Sequence, residues 1–238
     1  MNINNLVETH CHILPAIDDG AKDVETSLNM IKQLQNQGAT KIVVTPHYYS
    51  DTISLNDFIA KRDIALDELK SALPEGSPEI IPAAEVFITK YLFNNDDLSA
   101  LCYGKNKYIL IEHPFSSSFS DRTCERVLSL CCDYGLTPIL AHIERYNTLM
   151  SDENKLDRFI NMGCLAQVNI NSFADAPRLI RKKLFKYLDA GKIHLIGSDC
   201  HNLTTRPPEY EKGAKKIIKK CGENTLNRLI SNANSLFE

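Results

Sequence analysis

Short apolar runs alternate along the chain with longer stretches of helical period. The runs cover residues 6–9, 41–45, 79–84, 108–111, 138–141, 165–169 and 194–197. Several are rich in Ile and Val, as expected of strands buried on both faces. Between them, Val24, Leu28, Ile31 and Leu34 recur at helical spacing, and Gly38 follows as a stop. Ser54-x-x-Asp57 reads as a capping box opening a helix through residue 73. Pro177 suits the first turn of a helix that carries Ile180, Leu184, Tyr187 and Leu188 and closes at Gly191. Two more helices are predicted around 209–221 and 223–236. Strand–helix alternation repeated in this way predicts an α/β protein of parallel strands with helical crossovers, either an open doubly wound sheet or a closed barrel. No linker or repeat divides the chain, so 1–238 reads as a single domain.

Composition changes this picture little. The chain has 238 residues, 43% hydrophobic and 24% charged, with a net charge of −3. That balance fits a soluble globular protein and is too even for a nucleic-acid binder. The longest apolar stretches, such as 108–111, fall far short of the ~18–20 residues of a membrane span. The first eight residues lack the basic and apolar regions of an export signal. Cys131, Cys132, Cys164 and Cys221 lie inside apolar patterns and read as buried reduced thiols, and no C-x-x-C pair is present. Together these point to the cytoplasm.

The reactive residues fall in one place on the map. His10 and His12 follow the first run, with Asp18 and Asp19 just beyond; His47 follows the second and Glu85 the third. Glu112 and His113 end the fourth, His142 the fifth, and Asp199 and His201 the seventh, with Arg145 and Arg206 on the loops that continue. The C-terminal strand ends are where parallel sheets and barrels gather active sites. In His10-x-His12, alternate residues point to one side, so both imidazoles can bind one ion. Carboxylates from other strands complete a mixed N/O set suited to manganese, iron or zinc. Asp19, Glu85, Glu112 and Asp199 in one cavity call for more than one divalent ion, and the nine candidate ligands supply three if one carboxylate bridges. Arg145 and Arg206 add the positive charge that suits a phosphate dianion.

The ordered series Thr9-His10-Cys11-His12, Asp18-Asp19-Gly20, Thr45-Pro46-His47, Ala83-Ala84-Glu85, Ile111-Glu112-His113-Pro114, Ala141-His142-Ile143-Glu144-Arg145-Tyr146 and Gly197-Ser198-Asp199-Cys200-His201 resembles the motif series of the PHP (polymerase and histidinol phosphatase) superfamily. His142-x-Glu144-Arg145-Tyr146 with Asp199-x-His201 and Arg206 narrows the resemblance. It is to the bacterial metal-dependent protein-tyrosine phosphatases of capsule and exopolysaccharide clusters, the CpsB/YwqE type. The resemblance covers nearly the whole chain and implies a distorted TIM-like (β/α)7 barrel, the PHP fold. It implies up to three ions, usually manganese, with iron, zinc or magnesium as alternatives. His10, His12, Glu85 and Asp199 would hold one ion; Glu85, Glu112 and His142 a second; Asp19, His47 and His201 the third. Arg145 and Arg206 would clamp the phosphoryl group, a metal-bound hydroxide would attack it, and His201 or a metal-bound water would donate a proton. The implied substrate is phosphotyrosine in the tail of a membrane-associated bacterial tyrosine kinase that controls polysaccharide export.

Rival readings are a phosphatase of a small phosphomonoester such as histidinol phosphate, an amidohydrolase-like C–N hydrolase, and an idle module that docks the kinase tail. Asp18 reads as a turn or helix-dipole residue, His113 as a brace for Glu112 or a structural residue, and His194 as structural at the opposite strand end. Lys212, Lys215, Lys216, Lys219 and Lys220 form a solvated helix face or a docking surface for anionic partners. Tyr48, Tyr49, Phe115 and Phe119 are candidates to line a peptide groove. Cys200 to Arg206 matches the C-x5-R spacing of cysteine-dependent phosphatases, but it contains no glycine and sets Asp199 beside the thiol. Cys200 therefore reads as packing between two ligands.

Overall fold

The structure, a computed structural model, describes residues 3–105 and 107–238. In chain order the first half holds β1 (Leu6–Cys11), α1 (Val24–Asn36), β2 (Ala39–Val44), β3 (His47–Tyr49), α2 (Leu55–Ala72), β4 (Glu79–Pro82), β5 (Glu85–Phe87) and β6 (Tyr108–Glu112). Then come α3 (Asp121–Cys132), β7 (Thr137–Leu140), α4 (Asn147–Ser151), α5 (Glu153–Asn161), β8 (Leu165–Asn169), α6 (Ser172–Asp175), α7 (Arg178–Asp189), β9 (Leu195–Gly197), α8 (Glu211–Cys221) and α9 (Glu223–Ser235).

The seven predicted strands are seven staves, two of them broken. β2 continues past Thr45-Pro46 as β3, and β4 continues past Ala83-Ala84 as β5. Pairing is parallel throughout, in the orders β1-β2-β4 and β3-β5-β6-β7-β8-β9. The last stave returns to the first. The Asp199 N–H donates to the His10 carbonyl at 2.8 Å and the His12 N–H to the Cys200 carbonyl at 2.9 Å. The extra strands β3 and β5 escaped the sequence pattern because each opens on a polar residue, His47 or Glu85, that interrupts its apolar run.

Alternate strand residues share a face, and along most staves that face changes character from apolar to ionisable. The steps are Val43-Thr45-His47, Ile81-Ala83-Glu85, Leu110-Glu112, Leu165-Gln167-Asn169 and Leu195-Gly197-Asp199. Val7, Val43, Ala83, Leu110, Ile139 and Leu195 meet in one buried apolar cluster, capped by Ala233 and Leu236 near the chain's end. A second, larger cluster fills the space between the staves and the helices. An apolar floor thus lies below a polar mouth.

Local signals place the helices. Asp23 caps α1, its carboxylate accepting from the Thr26 N–H at 2.8 Å, and Ser54 caps α2 by accepting from the Asp57 N–H. α8 sits unusually close to the end of β8: a Cβ on Gly213 would stand 2.1 Å from the Ile170 carbonyl oxygen. All eight cysteines are free; Cys164 is buried as expected, but Cys132, at the end of α3, is exposed. No helix among the described residues is long and apolar enough to cross a membrane.

Gly213 sets the seat of α8, so Gly213→Ala should destabilise the protein by about 1–3 kcal/mol, the usual cost of overpacking. Urea denaturation at constant m-value measures this; an unchanged midpoint would show that α8 can lift away freely.

Candidate metal centre

The mouth of the staves gathers five imidazoles and three carboxylates around a fourth, Glu85, which is 1% exposed. Glu85 Oε2 lies 3.2 Å from His10 Nε2, 3.2 Å from His12 Nε2 and 3.1 Å from His47 Nδ1. Its other oxygen, Oε1, lies 2.8 Å from His142 Nε2, which is also 3.4 Å from Glu112 Oε1. Asp199 Oδ1 faces His10 and His12 at 3.4 and 3.5 Å. Asp19 Oδ1 lies 3.4 Å from both His47 Nε2 and His201 Nε2. Three overlapping groups result: His10, His12, Glu85 and Asp199; His12, Asp19, His47 and His201; and His47, Glu85 and Glu112. These groups hold eight of the nine residues expected from the sequence, with His12, His47 and Glu85 each in two; His142, expected beside Glu85 and Glu112, reaches both by ion pairs while His47 completes their group.

The backbone at this mouth is unusual. His142 (φ 32°) and Asp199 (φ 53°) are both left-handed and not glycine, a conformation that costs about 1–3 kcal/mol and clusters at functional sites. In each case it falls two residues past a strand end, β7 or β9, where it re-aims the side chain. Gly197 is a glycine for a related reason: a Cβ there would stand 2.8 Å from His10 Cβ and 2.9 Å from Gln167 Nε2.

The tautomers show what the mouth is built for. His12 Nδ1–H donates to Asp18 Oδ2 at 2.9 Å, and His201 Nδ1–H to the Asp199 carbonyl at 3.0 Å. His10 Nδ1 faces Gln167 Oε1 at 3.4 Å, an oxygen fixed as acceptor by the His142 N–H at 2.7 Å. Each ring therefore turns an Nε2 lone pair inward, and the Nε2 atoms of His10 and His12 stand 3.3 Å apart. His201 Nε2, His47 Nδ1 and His142 Nδ1 are buried without a hydrogen-bond partner. Lone pairs and carboxylates facing one another repel unless cations lie between them. Donor spacings of this size also suit ions with bonds of ~2.1 Å, which set neighbouring ligands about 3.0–3.4 Å apart. The donor set fits divalent metal.

Without a cation, protons take its place. Burial pushes Glu85 up, but the charge of His10 and hydrogen bonds from His12 and His142 hold it well below the usual carboxylate range. Burial likewise works against Asp199, yet His10, His12 and Arg145 hold it low. Burial depresses His142, but Glu112 and Glu85 outweigh it and raise the group to about 9. His12 is also raised, against burial, by Asp18, Asp199 and Glu85. His201, by contrast, is pushed down to about 3 by burial and by the charge of His12, which suits a lone-pair donor better than a proton donor.

Several expectations need correction. Asp18 is not a free turn residue: its carboxylate is buried, orients His12, and accepts from the Gly20 N–H at 2.9 Å and the His47 N–H at 3.0 Å. His113 does not brace Glu112; its ring packs edge-on against Phe119 and Tyr146, and its N–H donates to the Tyr146 hydroxyl. Tyr48 and Phe119 are core residues, leaving Tyr49 (37% exposed) and Phe115 (54%) at the rim. Tyr49 lies tilted against His47 and Phe115 edge-on to His142, with ring centroids 5.5 and 5.9 Å apart. Two expectations hold: His194 is structural, accepting from the Ala166 N–H at 3.0 Å, and Cys200 is wholly buried, pairing its backbone with Cys11.

A supporting layer was missed altogether. Asn169 Nδ2 donates to Asp199 Oδ2 at 2.9 Å, and Gln167 Nε2 donates to Asn169 Oδ1 at 3.1 Å. Glu8 accepts from the His10 and Ser198 N–H groups, and Glu144 from the Asn169 N–H and the Ser172 hydroxyl. The signal was present: Glu8-x-His10-x-His12 and Gln167-x-Asn169 put polar residues at every second position of buried strands. Arg145 Nη2 and Arg206 Nη2 reach Asp199 from the outside at 2.6 and 2.8 Å, each about one-third exposed. Both line a cavity of ≈ 360 Å³ with Ser198 and Asp199.

Residues 6–238 match the family model described as capsular polysaccharide synthesis, CpsB/CapC. The tyrosine-protein phosphatase CpsB of Streptococcus agalactiae serotype III (strain NEM316) is 29% identical over 98% of each chain. The tyrosine-protein phosphatase YwqE of Bacillus subtilis (strain 168) is 30% identical, covering 98% of this chain and 91% of its own. A crystal structure from the set of Bacillus subtilis YwqE and Streptococcus pneumoniae CpsB, described as unique metal-dependent tyrosine phosphatases, aligns with a TM-score of 0.82 at 25% identity. It covers 98% of this chain and 94% of that one.

Two outcomes test the centre. Because His12 and His142 keep protons that a metal must displace, apparent affinity for a divalent cation should climb with pH through about 9, where His142 gives up its proton; a flat profile by calorimetry would contradict this. Asp18→Asn, which loosens His12, should cost about 10–100-fold in metal affinity, read by competition with a chromogenic chelator.

Proposed function

The chain belongs to the CpsB/CapC family, and from that membership we propose that it is a metal-dependent protein-tyrosine phosphatase, a phosphoric monoester hydrolase of capsule or exopolysaccharide synthesis. The observation that carries the reading is Glu85, one buried carboxylate held between His10, His12, His47 and His142 with Asp199 beside it. We assign His10, His12, Asp19, His47, Glu85, Glu112, His142, Asp199 and His201 as ligands of up to three ions; the mixed N/O set suits manganese, iron or zinc, and the resemblance to the phosphatase family favours manganese. Bound there, the ions supply a water nucleophile of lowered pKa and positive charge opposite the phosphoryl oxygens.

The chain's own residues do the rest. Arg145 and Arg206 each give one nitrogen to Asp199 and leave further donors of the fork for the phosphoryl oxygens, which need charge neutralised as the bond breaks. The phenolate of tyrosine leaves with a free pKa of ~10, so it needs less help from a general acid than an alkyl alcohol. Beside His47 and Asp19 lies a cavity of ≈ 400 Å³ walled by Ile17, Tyr49, Ile53 and Phe58, and Phe115 stands beyond His142. Apolar and aromatic walls next to the mouth favour an aryl phosphate over a small polar one such as histidinol phosphate. The physiological substrate in this reading is the phosphotyrosine tail of a bacterial tyrosine kinase. The enzyme acts as one catalytic domain in the cytoplasm, without membrane insertion or nucleic acid.

EDTA-treated protein should not turn over a phosphotyrosine peptide, and manganese should restore it. Asp199→Asn should abolish turnover, whereas Cys200→Ser should leave it intact; the reverse pattern would make Cys200 the nucleophile and end the metal mechanism. Arg145→Lys should lower kcat by about 10²–10³, the usual loss for one donor to a developing oxyanion. Phe115→Ala should reduce kcat/KM for phosphotyrosine more than for phosphoserine peptides; an equal loss on both would remove the ring from substrate selection.

A further inference from the structure

Away from the metal mouth, a groove of ≈ 340 Å³ runs between α7 and α8. Arg178, Arg181 and Lys182 line it from α7, Lys216 and Lys220 from α8, and Phe173 and Phe185 form its floor. No acidic residue lines it. Among the described residues, Arg178, Lys182, Lys216 and Lys220 have no carboxylate partner, while Arg181 donates to the Ala174 carbonyl. The neighbouring cations are treated differently. Glu153 holds Lys186 and Lys192, Glu209 holds Lys212, and Glu211 holds Lys215. A chain with a net charge of −3 has acids to spare, so this concentration of uncompensated positive charge is a local feature. Like charges gathered in one groove repel, and an anionic occupant relieves that repulsion.

The groove lies next to the cavity that holds Arg145 and Arg206, whose wall also carries Asp175 and Glu209. Lys212 lines the cavity that contains Arg145 and Arg206. Lys216 and Lys220 follow it at successive turns of α8 and line the groove. On the other wall, Ser172 borders the cavity and Phe173, the next residue, borders the groove. The close seat of Gly213 on Ile170 pins this helix, and with it the lysine row, to the end of β8. From Lys212 to Lys220 is about 12 Å along a helix, a span that about four residues of extended peptide cover.

We propose that the α7–α8 groove docks an acidic stretch of the substrate polypeptide next to the phosphotyrosine, with acidic side chains about three to seven residues from it. The proposal rests on the phosphotyrosine-peptide reading above and names what that reading leaves open: which tyrosines are chosen. The lysines and arginines pair with the substrate's carboxylates, while Phe173 and Phe185, buried beneath them, hold the floor rigid. Lys220, whose Nζ already lies 4.3 Å from the Phe185 ring centroid, marks where the two surfaces join.

The test is binding, so it does not require turnover. Fluorescent peptides carrying a non-hydrolysable phosphonomethyl-phenylalanine, flanked on either side by Asp/Glu or by Ser/Gln at those positions, are titrated and followed by anisotropy at low and high salt. Wild type should bind an acidic peptide about tenfold more tightly than the neutral one, as two or three exposed ion pairs allow, and salt should shrink the gap. Lys216→Glu with Lys220→Glu should close the gap, and so should the milder Arg178→Gln with Lys182→Gln, with folding checked by circular dichroism. Equal binding of both peptides by wild type, or a gap that survives in both double variants, would overturn the proposal. So would groove-dependent binding to phosphatidylglycerol vesicles without any peptide preference, which would assign the groove to a membrane surface. If the preference holds but manganese-loaded enzyme leaves phosphotyrosine peptides intact, docking stands and the phosphatase reading falls.

Discussion

Inward-facing imidazole lone pairs meeting a buried carboxylate are the constraint around which this molecule is arranged. His10, His12 and His201 each surrender the proton-bearing nitrogen to an acceptor behind them, so the bare nitrogens converge at the mouth. Such an arrangement is unfavourable alone and becomes favourable once positive charge sits at its centre. Much else follows from keeping it in place: the left-handed backbone at His142 and Asp199, the absence of a side chain at Gly197, and the Gln167–Asn169–Asp199 relay.

The two arginines belong to the same electrostatic balance. Both lean on Asp199, whose two oxygens also meet Asn169 and the His10–His12 pair. One carboxylate therefore connects the buried imidazole side of the centre to the outer cavity. In the proposed reading, a phosphoryl group entering that cavity would meet guanidinium groups already oriented by Asp199, so little reorganisation would be needed.

Much of this was legible in the sequence, for a physical reason. Ligands at strand ends are reached by parallel staves, and a parallel stave announces itself as a short apolar run; the reactive residues then mark its C-terminal end. That is why His10, His12, Glu85, Glu112, His142 and Asp199 could be grouped although they are scattered along the chain. What escaped was set by three-dimensional neighbours. Asp18 and Asp19 are adjacent and chemically alike, and only the direction of each side chain makes one a brace for His12 and the other a partner of His47 and His201. Tyr48 and Tyr49 differ in the same way, one in the core and one at the rim, because neighbouring strand residues face opposite sides. The five lysines of α8 could be read as a solvated face or a docking surface; only the fold shows that two of them, Lys216 and Lys220, share a groove with Arg178 and Lys182.

The layering of the staves has a further consequence. Val7, Val43, Leu110, Ile139 and Leu195 pack beneath the ionisable layer and take no part in it. A copy of the chain that lost one ligand through mutation would thus keep its floor, its helices and its basic groove. Architecture and chemistry are carried by separate layers of the same staves.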